Sequence, residues 1–241
     1  MIITSVDNKK IKKYATLKTS KGRKEEGLFL VEGKHLCEEA LKVGLLLEVL
    51  ALPNTDISWN VGITYVTENV LRKISSLTNV SSMIGICKIK EGKEIMGQRL
   101  LLLDDISDPG NLGTIIRSAK AFNVDTIILS TNSVDIYNDK VLRSTEGMFF
   151  HMNIIYDSLE KTIDKLKKEN YPILGTNVHN GVDVHDINCD KYALIMGNEG
   201  HGVHEDIQKM CDKNLYIPMN SECESLNVAV ATSILLYELN R

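Results

Sequence analysis

Short apolar runs alternate with amphipathic stretches through the N-terminal part of the chain. Residues 27–33 (GLFLVEG) and 45–52 (LLLEVLAL) are typical of buried strands, and residues 34–44 between them have helical spacing and end in a glycine. A helix over 67–77 and a strand over 82–90 follow. This alternation predicts a compact α/β unit.

The C-terminal part continues the alternation with more apolar strands. Residues 99–106 (RLLLLDDI) predict a central strand that is buried on both faces of a parallel sheet. Further strands are predicted over 125–130, 152–156, 171–178 and 191–197, and helices over 108–124, 138–150, 158–170 and 226–239. The charged segment 88–98 marks a boundary, so we predict an α/β domain over 1–92 and a mostly parallel α/β domain over 93–241.

Composition narrows the class of protein. The 241 residues are 43% hydrophobic, enough for one large or two small domains. The sequence contains neither an apolar run of the roughly 20 residues that span a bilayer nor the apolar core of a secretory signal, which predicts a cytoplasmic location. The five cysteines form no C-x-x-C pair, which argues against a disulfide framework and against a zinc site.

The net charge of −4 conceals a basic N-terminus. Residues 1–24 carry eight Lys or Arg and a single Asp. Clustered cations are typical of surfaces that bind polyanions such as RNA. A solvated, frayed arm explains the same composition equally well. The residues that we select as candidates for RNA contact are Lys9, Lys10, Lys12, Lys13, Lys21 and Arg23.

Three segments rich in Gly, Pro, Asn or Ser follow predicted strands, at 108–113, 197–202 and 218–225. In an open α/β sheet, ligands bind outside the carboxyl ends of the strands. The glycines at 197, 200 and 202 do not form the G-x-G-x-x-G fingerprint, which excludes an ordinary dinucleotide site. Taken alone, such a segment is more often a tight turn than a ligand site.

The same segments belong to three longer motifs. These are DPGNLGTIIRSAKAFNVDTIIL (108–129), LIMGNEGHGV (194–203) and IPMNSECESLNVAVATSILLYE (217–238). Together they closely resemble the SpoU-type (TrmH-like) RNA 2'-O-ribose methyltransferases of the SPOUT class. The N-terminal half is less specifically similar to the accessory RNA-binding domain of this family, which resembles ribosomal protein L30e. Two positions depart from the family pattern: Ser221 replaces a usual glycine, and Met148 replaces a small residue.

The resemblance implies a fold, a cofactor and an assembly. The last two motifs would form a deep trefoil knot that holds S-adenosylmethionine, and a homodimer interface would help to build the site. By position in the motifs, the residues that would bind the cofactor are Gly197, Gly200, Ile217, Met219, Leu226 and Thr176, the last near the adenosine. The polar functional positions of the family fall on Asn111, Arg117, Glu199, Ser225 and Asn227.

These polar residues also suit the chemistry of ribose methylation. A guanidinium is effectively never deprotonated in proteins, so Arg117 is better placed to stabilise an alkoxide and contact phosphate than to act as a base. Asn111, Ser225 and Asn227 would orient the hydroxyl, and Glu199 would organise the loops. The structural alternatives are a surface role for Arg117, a turn role for Asn111 and an N-cap role for Ser225 in the final helix.

The sequence indicates no metal site, because His201 and His204 have no matching acid or thiol ligands in the pattern. The predicted function is S-adenosylmethionine-dependent methylation of a ribose 2'-hydroxyl in structured RNA, with ribosomal RNA favoured by the separate N-terminal domain. Three alternatives remain open at this point. They are a transfer RNA 2'-O-methyltransferase, a non-catalytic RNA-binding or ribosome-assembly protein of the same fold, and a knotted methyltransferase that acts on a base nitrogen.

Overall fold

A five-stranded sheet organises the first of two units, which comprises the described residues of Met1–Glu91 and Asp135–His151. The computed structural model describes residues 2–92, 94–177 and 181–240. The elements of this unit are β1 (Ile2–Ile3), α1 (Lys9–Thr16), α2 (Ser20–Glu26), β2 (Leu28–Glu32), α3 (Lys34–Lys42), β3 (Leu46–Ala51), β4 (Gly62–Val66), α4 (Glu68–Ile74), β5 (Met83–Lys88) and, later in the chain, a helix over Asp139–Ser144 and a 3₁₀ helix over Met148–His151. The strand order is β1-β4-β3-β5-β2, and β5 is antiparallel to both of its neighbours.

The basic N-terminal segment is folded onto this sheet. Ile11 and Leu17 are fully buried in the core of the unit, together with Tyr14. Asn8 Oδ1 accepts the backbone N–H of Lys10 at 2.9 Å and thereby caps α1, so the helix has a defined beginning. The alternative of a frayed arm is therefore wrong. Apolar positions at helical spacing were the signal in the sequence that indicated a folded segment.

Two of the candidates for RNA contact are less accessible than the others. The Arg23 guanidinium is buried, lies 2.6 Å from Asp135 Oδ2 and donates to the Leu17 carbonyl at 2.9 Å. A buried, paired guanidinium has no access to a phosphate, so the prediction for Arg23 is wrong. Lys10 is likewise paired, with the Glu48 carboxylate. The candidates that stay exposed are Lys9, Lys12, Lys13 and Lys21, although the last three form surface ion pairs with Asp7, Glu26 and Glu25.

Residues 135–151 pack within the N-terminal unit, although the sequence pattern places them in the C-terminal domain. The rings of Phe29 and Tyr137 lie 4.8 Å apart between centroids, and His151 Nε2 lies 2.6 Å from Glu39 Oε2. These contacts join positions more than a hundred residues apart in the chain, which local periodicity does not reveal.

The second unit, with the described residues of Gly92–Val134 and Met152–Arg241, contains a seven-stranded sheet. The helix over Asp139–Ser144 in the first unit is α6. The elements of the second unit are β6 (Arg99–Leu103), α5 (Pro109–Ala121), β7 (Thr126–Leu129), β8 (Asn153–Tyr156), α7 (Leu159–Lys168), β9 (Ile173–Thr176), β10 (Val182–Asp183), a 3₁₀ helix (Val184–Asp186), β11 (Tyr192–Met196), α8 (Glu205–Lys209), β12 (Lys213–Tyr216) and α9 (Val228–Leu239). The order is β10-β12-β9-β11-β6-β7-β8, and the paired strands are parallel.

The predicted central strand lies inside this sheet. β6 pairs with β11 on one side and with β7 on the other, and its leucines at 100–103 are fully buried. Of the predicted strand over 171–178, β9 forms the middle, and Val178 lies outside the described residues. Within the part of the chain that the structure describes, no helix is both long and apolar enough to cross a membrane.

The strand order brings the predicted loops to one edge of the sheet. β12, β9, β11 and β6 are neighbours and run in the same direction, so their carboxyl ends lie side by side. Two of the predicted glycine- and asparagine-containing loops follow β11 and β12, whereas the one predicted over 108–113 forms the N-cap and first turns of α5, which follows β6. The edge expected to bind a ligand is therefore formed by segments that are distant in sequence.

Candidate functional site

A cavity of about 700 Å³ opens at this edge of the sheet. Small-molecule sites in proteins typically enclose about 300–1,000 Å³, so the cavity is large enough for a nucleoside-sized ligand. Apart from Arg117, the catalytic and cofactor residues predicted from the sequence all line its wall; they are Asn111, Thr176, Gly197, Glu199, Gly200, Ile217, Met219, Ser225, Leu226 and Asn227.

The carboxylate of Glu199 joins two of the loops. Its Oε1 accepts the backbone N–H of Asp108 and the Asn111 side-chain amide, both at 3.0 Å. Its Oε2 accepts the Ser107 hydroxyl at 2.9 Å and the Ser107 backbone N–H at 3.2 Å. Partial burial acts to raise the pKa of Glu199, but the hydrogen bonds from Asn111, Asp108 and Ser107 outweigh it and lower the pKa. The ionised carboxylate therefore ties the loop over 197–203 to the segment that follows β6.

Asn227 connects the same network to the last helix. Its Oδ1 accepts the backbone N–H of Ala229 at 2.9 Å and caps α9, while its Nδ2 donates to Asn111 Oδ1 at 2.9 Å. The alternative that Ser225 caps this helix is wrong, because α9 begins later than predicted and Asn227 occupies the N-cap. One side chain thus sets both the beginning of the helix and the position of Asn111.

The loop over 197–203 folds tightly on itself. Asn198 and Gly202 exchange backbone hydrogen bonds of 2.9 and 3.0 Å. A Cβ atom at Gly197 would lie 2.1 Å from the backbone of Gly202 and of Val203, so a larger residue has no room there. Gly202 itself has a φ of +73°, which favours glycine. Packing therefore requires glycine at 197, and the backbone conformation favours it at 202.

Arg117 lies apart from this network. It is exposed on α5 and does not line the cavity. The helical rise places it about 9 Å along the axis from Asn111. No hydrogen bond or ion pair joins its guanidinium to another residue that the structure describes. The structure therefore brings together the other predicted polar residues and leaves Arg117 as an exposed cation beside them.

The remaining predicted positions have simple surroundings. The Thr176 hydroxyl donates to the Ile195 carbonyl at 3.1 Å, at the end of β9. Ser225 and Ser221 are both exposed, and Ser221 lies outside the cavity wall without a positive φ, so its position does not require glycine. Met148 lies half-buried in the other unit. Neither residue is part of the cavity wall.

Sequence reasoning missed an acidic pair beside the histidines. Asp104 Oδ2 lies 2.9 Å from His204 Nδ1, and ligand atoms of Asp104, Asp105 and His204 lie within 4.8 Å of one another. For His204, the expectation that it lacks a matching acidic ligand is therefore wrong. The hydrogen bond and charge of Asp104 raise the pKa of His204. Two aspartates directly after the central strand were the available signal.

Comparison with known families covers both units. The model of the SpoU rRNA Methylase family matches residues 98–237, and that of the MRM3-like substrate binding domain matches residues 8–85. The chain is 37% identical over 243 residues to the 23S rRNA (guanosine(2553)-2'-O)-methyltransferase RlmP of Bacillus subtilis (strain 168). This alignment covers 98% of each sequence.

Solved structures show the same architecture over the full length. The AdoMet-bound rRNA methyltransferase from Sinorhizobium meliloti aligns with a TM-score of 0.88 and 28% identity, covering 100% of this chain and 97% of that one. A structure described as an RNA 2'-O ribose methyltransferase aligns with a TM-score of 0.86 and 28% identity, covering 99% and 98%. The similarity therefore extends over the N-terminal unit as well as over the unit that contains the cavity.

Proposed function

This chain belongs to the SpoU rRNA methylase family and is an S-adenosylmethionine-dependent RNA 2'-O-methyltransferase, and we propose that its substrate is a guanosine of 23S ribosomal RNA. The main support for this substrate is the similarity to RlmP, which extends over nearly the whole chain and so includes the region that matches the substrate binding domain. We place the reaction in the cytoplasm, where ribosomes are assembled.

The test is methyl transfer from labelled S-adenosylmethionine to RNA from a strain that lacks the gene. We expect label in 23S RNA, recovered after nuclease digestion as 2'-O-methylguanosine, at the counterpart of position 2553 in the relative. Label in transfer RNA or on a base would contradict the proposed substrate. RNA binding without any transfer would indicate a non-catalytic assembly protein.

The cavity suits this cofactor. Apolar side chains of Ile217, Met219 and Leu226 can pack against an adenine, and the wall also offers backbone groups of the loop over 197–203. The carboxylates of Glu199 and Glu205 in the wall provide negative charge for a cationic ligand. S-adenosylmethionine supplies an electrophilic methyl group when bound. Thr176 lies at the end of β9, where its position in the wall suits a role beside the adenosine.

The residues of the chain would then activate and position the nucleophile. A ribose 2'-hydroxyl is a poor nucleophile until its proton begins to leave. The exposed guanidinium of Arg117 would stabilise the developing alkoxide and contact an adjacent phosphate, while the proton passes to phosphate or water. Glu199, Asn111 and Asn227 hold the loops that orient the hydroxyl, and Ser225 is exposed at the cavity mouth to join them.

A trefoil knot is supported by the strand order. β12 lies between β9 and β10, which follow one another in the chain before β11. Threading of a late strand through the connection between two earlier strands would produce this order, although knots are rare in proteins. We therefore propose that the segments after β11 and β12 form the knot and that the N-terminal unit has the RNA-binding fold of ribosomal protein L30e.

A homodimer is supported by the surface of α9. This helix is apolar on nearly all sides, and Val230 and Tyr237 are 48% and 51% exposed on the same face. Exposed apolar stripes of this kind are typical of interfaces. Arg117 lies outside the wall of the cavity in its own chain, which supports an interface that completes the site.

The exposed lysines of α1 and α2 are expected to contact RNA phosphates. Replacing Lys9, Lys12 and Lys21 with alanine should weaken RNA binding and reduce the slope of log affinity against log salt by about 0.7 for each phosphate that is no longer neutralised. Filter binding at several salt concentrations measures this slope. Truncating residues 1–24 is a poorer test, because it removes the buried Ile11 and Leu17.

A matched control uses three exposed lysines of α7 in the other unit, Lys161, Lys165 and Lys168. Their replacement makes the same change in net charge, so the salt slope should remain that of the wild type if contact is local to α1 and α2. Equal changes in the slope for both triple variants would mean that the effect is one of net charge, and would contradict the assignment.

A further inference from the structure

Asp104 directly follows β6 and is only 4% exposed. Its Oδ2 accepts the backbone N–H of His204 at 2.8 Å and lies 2.9 Å from Nδ1 of the same residue. The backbone N–H of Asp104 donates to the Met196 carbonyl at 2.9 Å. Met196 and His204 flank the loop over 197–203, so a single residue at the end of β6 holds both ends of that loop.

The loop between these two attachments forms one wall of the cavity. Residues 197–203 all line it, whereas Asp104 and His204 do not. Within the loop, the Asn198 side-chain amide donates to the Asp105 carbonyl at 2.7 Å, which ties the loop once more to the end of β6. Because the loop also closes on itself, the position of its ends determines the shape of the wall.

We propose that Asp104 is a positioning residue for cofactor binding, acting through His204 to hold the loop over 197–203 in the shape that lines the cavity. The inference rests on the proposed function, since it takes S-adenosylmethionine as the occupant of the cavity. A carboxylate suits this task because two N–H groups converge on one buried oxygen, and hydrogen bonds to a charged acceptor are about twice as strong as neutral ones.

Asp104→Asn tests the role without changing the size of the side chain, and Asp125→Asn is its matched control. Asp125 Oδ2 likewise accepts two hydrogen bonds, in this case both from backbone N–H groups, of Gln98 at 2.7 Å and of Arg99 at 2.9 Å, at the opposite end of β6. Each variant therefore removes one carboxylate oxygen that accepts two hydrogen bonds beside an end of β6, from one backbone N–H and one imidazole at Asp104 and from two backbone N–H groups at Asp125. They differ in that Asp104 is hydrogen-bonded to the ends of the loop over 197–203, whereas Asp125 is not.

We expect the calorimetric Kd for S-adenosylmethionine to rise by about tenfold or more in Asp104→Asn, because charge-assisted hydrogen bonds are lost. In Asp125→Asn it should stay within about twofold of wild type. In steady-state assays, KM for the cofactor should rise in Asp104→Asn while kcat at saturation changes little, because ground-state binding is what is weakened. Because Asp104 is buried and Asp125 is exposed, thermal unfolding of both variants is measured alongside, and a rise in Kd with an unchanged melting temperature excludes a general loss of folding.

Hydrogen exchange of the ligand-free protein gives a readout that does not depend on the cofactor. Amides over 197–204 should exchange faster in Asp104→Asn, and amides over 99–103 should be unchanged. His204→Ala keeps the backbone N–H and should have a smaller effect on the Kd. The double variant should bind no more weakly than Asp104→Asn, because the imidazole acts through the carboxylate.

The outcomes separate this inference from the proposed function. A wild-type protein that does not bind S-adenosylmethionine contradicts the proposed function, and the exchange experiment still decides whether Asp104 holds the loop. A wild-type protein that binds, with unchanged Kd and unchanged exchange in Asp104→Asn, overturns the inference. Additive losses in the double variant also overturn it, because His204 would then act independently of Asp104.

Discussion

Methyl transfer by the Arg117→Ala variant is expected to be about 10²–10³-fold slower than by the wild type, a loss typical of removing one group that stabilises developing negative charge. The affinity for S-adenosylmethionine should be nearly unchanged, because Arg117 is not part of the cavity wall. Its exposure on α5 also limits the change in unfolding free energy to about 0.5 kcal/mol. Single-turnover rates and calorimetric binding measure the two quantities separately.

Lys120→Ala is the matched control for this variant. Lys120 is another exposed cation on α5, one turn beyond Arg117, and its replacement should leave the rate at the wild-type value. Arg117→Lys keeps the charge but loses the planar fork, so an intermediate rate is expected. Parallel loss of turnover and of cofactor affinity in Arg117→Ala would show instead that the residue is structural.

Glu199→Gln should lower kcat/KM by about 10²-fold, the scale on which small misplacements of catalytic groups act. Both carboxylate oxygens accept N–H or O–H groups, from Ser107, Asp108 and Asn111. A glutamine has only one acceptor oxygen, so its amide nitrogen would face a donor. Since Glu199 is exposed, we expect only about 1 kcal/mol of lost stability, which thermal unfolding measures.

The difference in stability between the wild type and Glu199→Gln should depend on pH, because the pKa of Glu199 is lowered in the folded protein. A group whose pKa is lower in the folded state stabilises the fold above its ordinary value of 4.5, and that contribution is lost as the pH falls through the lowered value. The stability difference between the wild type and Glu199→Gln should therefore be constant near neutral pH and shrink in acid. A difference that grows in acid would contradict an ionised Glu199.

Glu222→Gln controls for the change in net charge near the site. Glu222 is exposed in the segment between β12 and α9, and it does not line the cavity. Its replacement should leave both stability and kcat/KM at the wild-type values. If both glutamine variants were equally impaired, long-range charge would explain the loss better than the network around Asn111.

The two units differ in how much of their structure local pattern could predict. In the C-terminal unit, the apolar run of β6 and the loops that follow the strands were predicted, because a strand buried on both faces is apolar throughout. In the N-terminal unit, the charge of residues 1–24 obscured the apolar positions of α1. The burial of Arg23 depends on Asp135, 112 residues away, which periodicity does not report.

The sequence by itself determined the types of most strands and helices, the segments that form the site and, through its three motifs, the family and the cofactor. Periodicity and turn residues report contacts between close neighbours in the chain, which is why these features are visible in a single sequence. Only the tertiary structure decided the hydrogen-bond partners. Glu199 meets Asn111 across 88 residues and Asp104 meets His204 across 100, because parallel strands bring their carboxyl ends together after long crossovers.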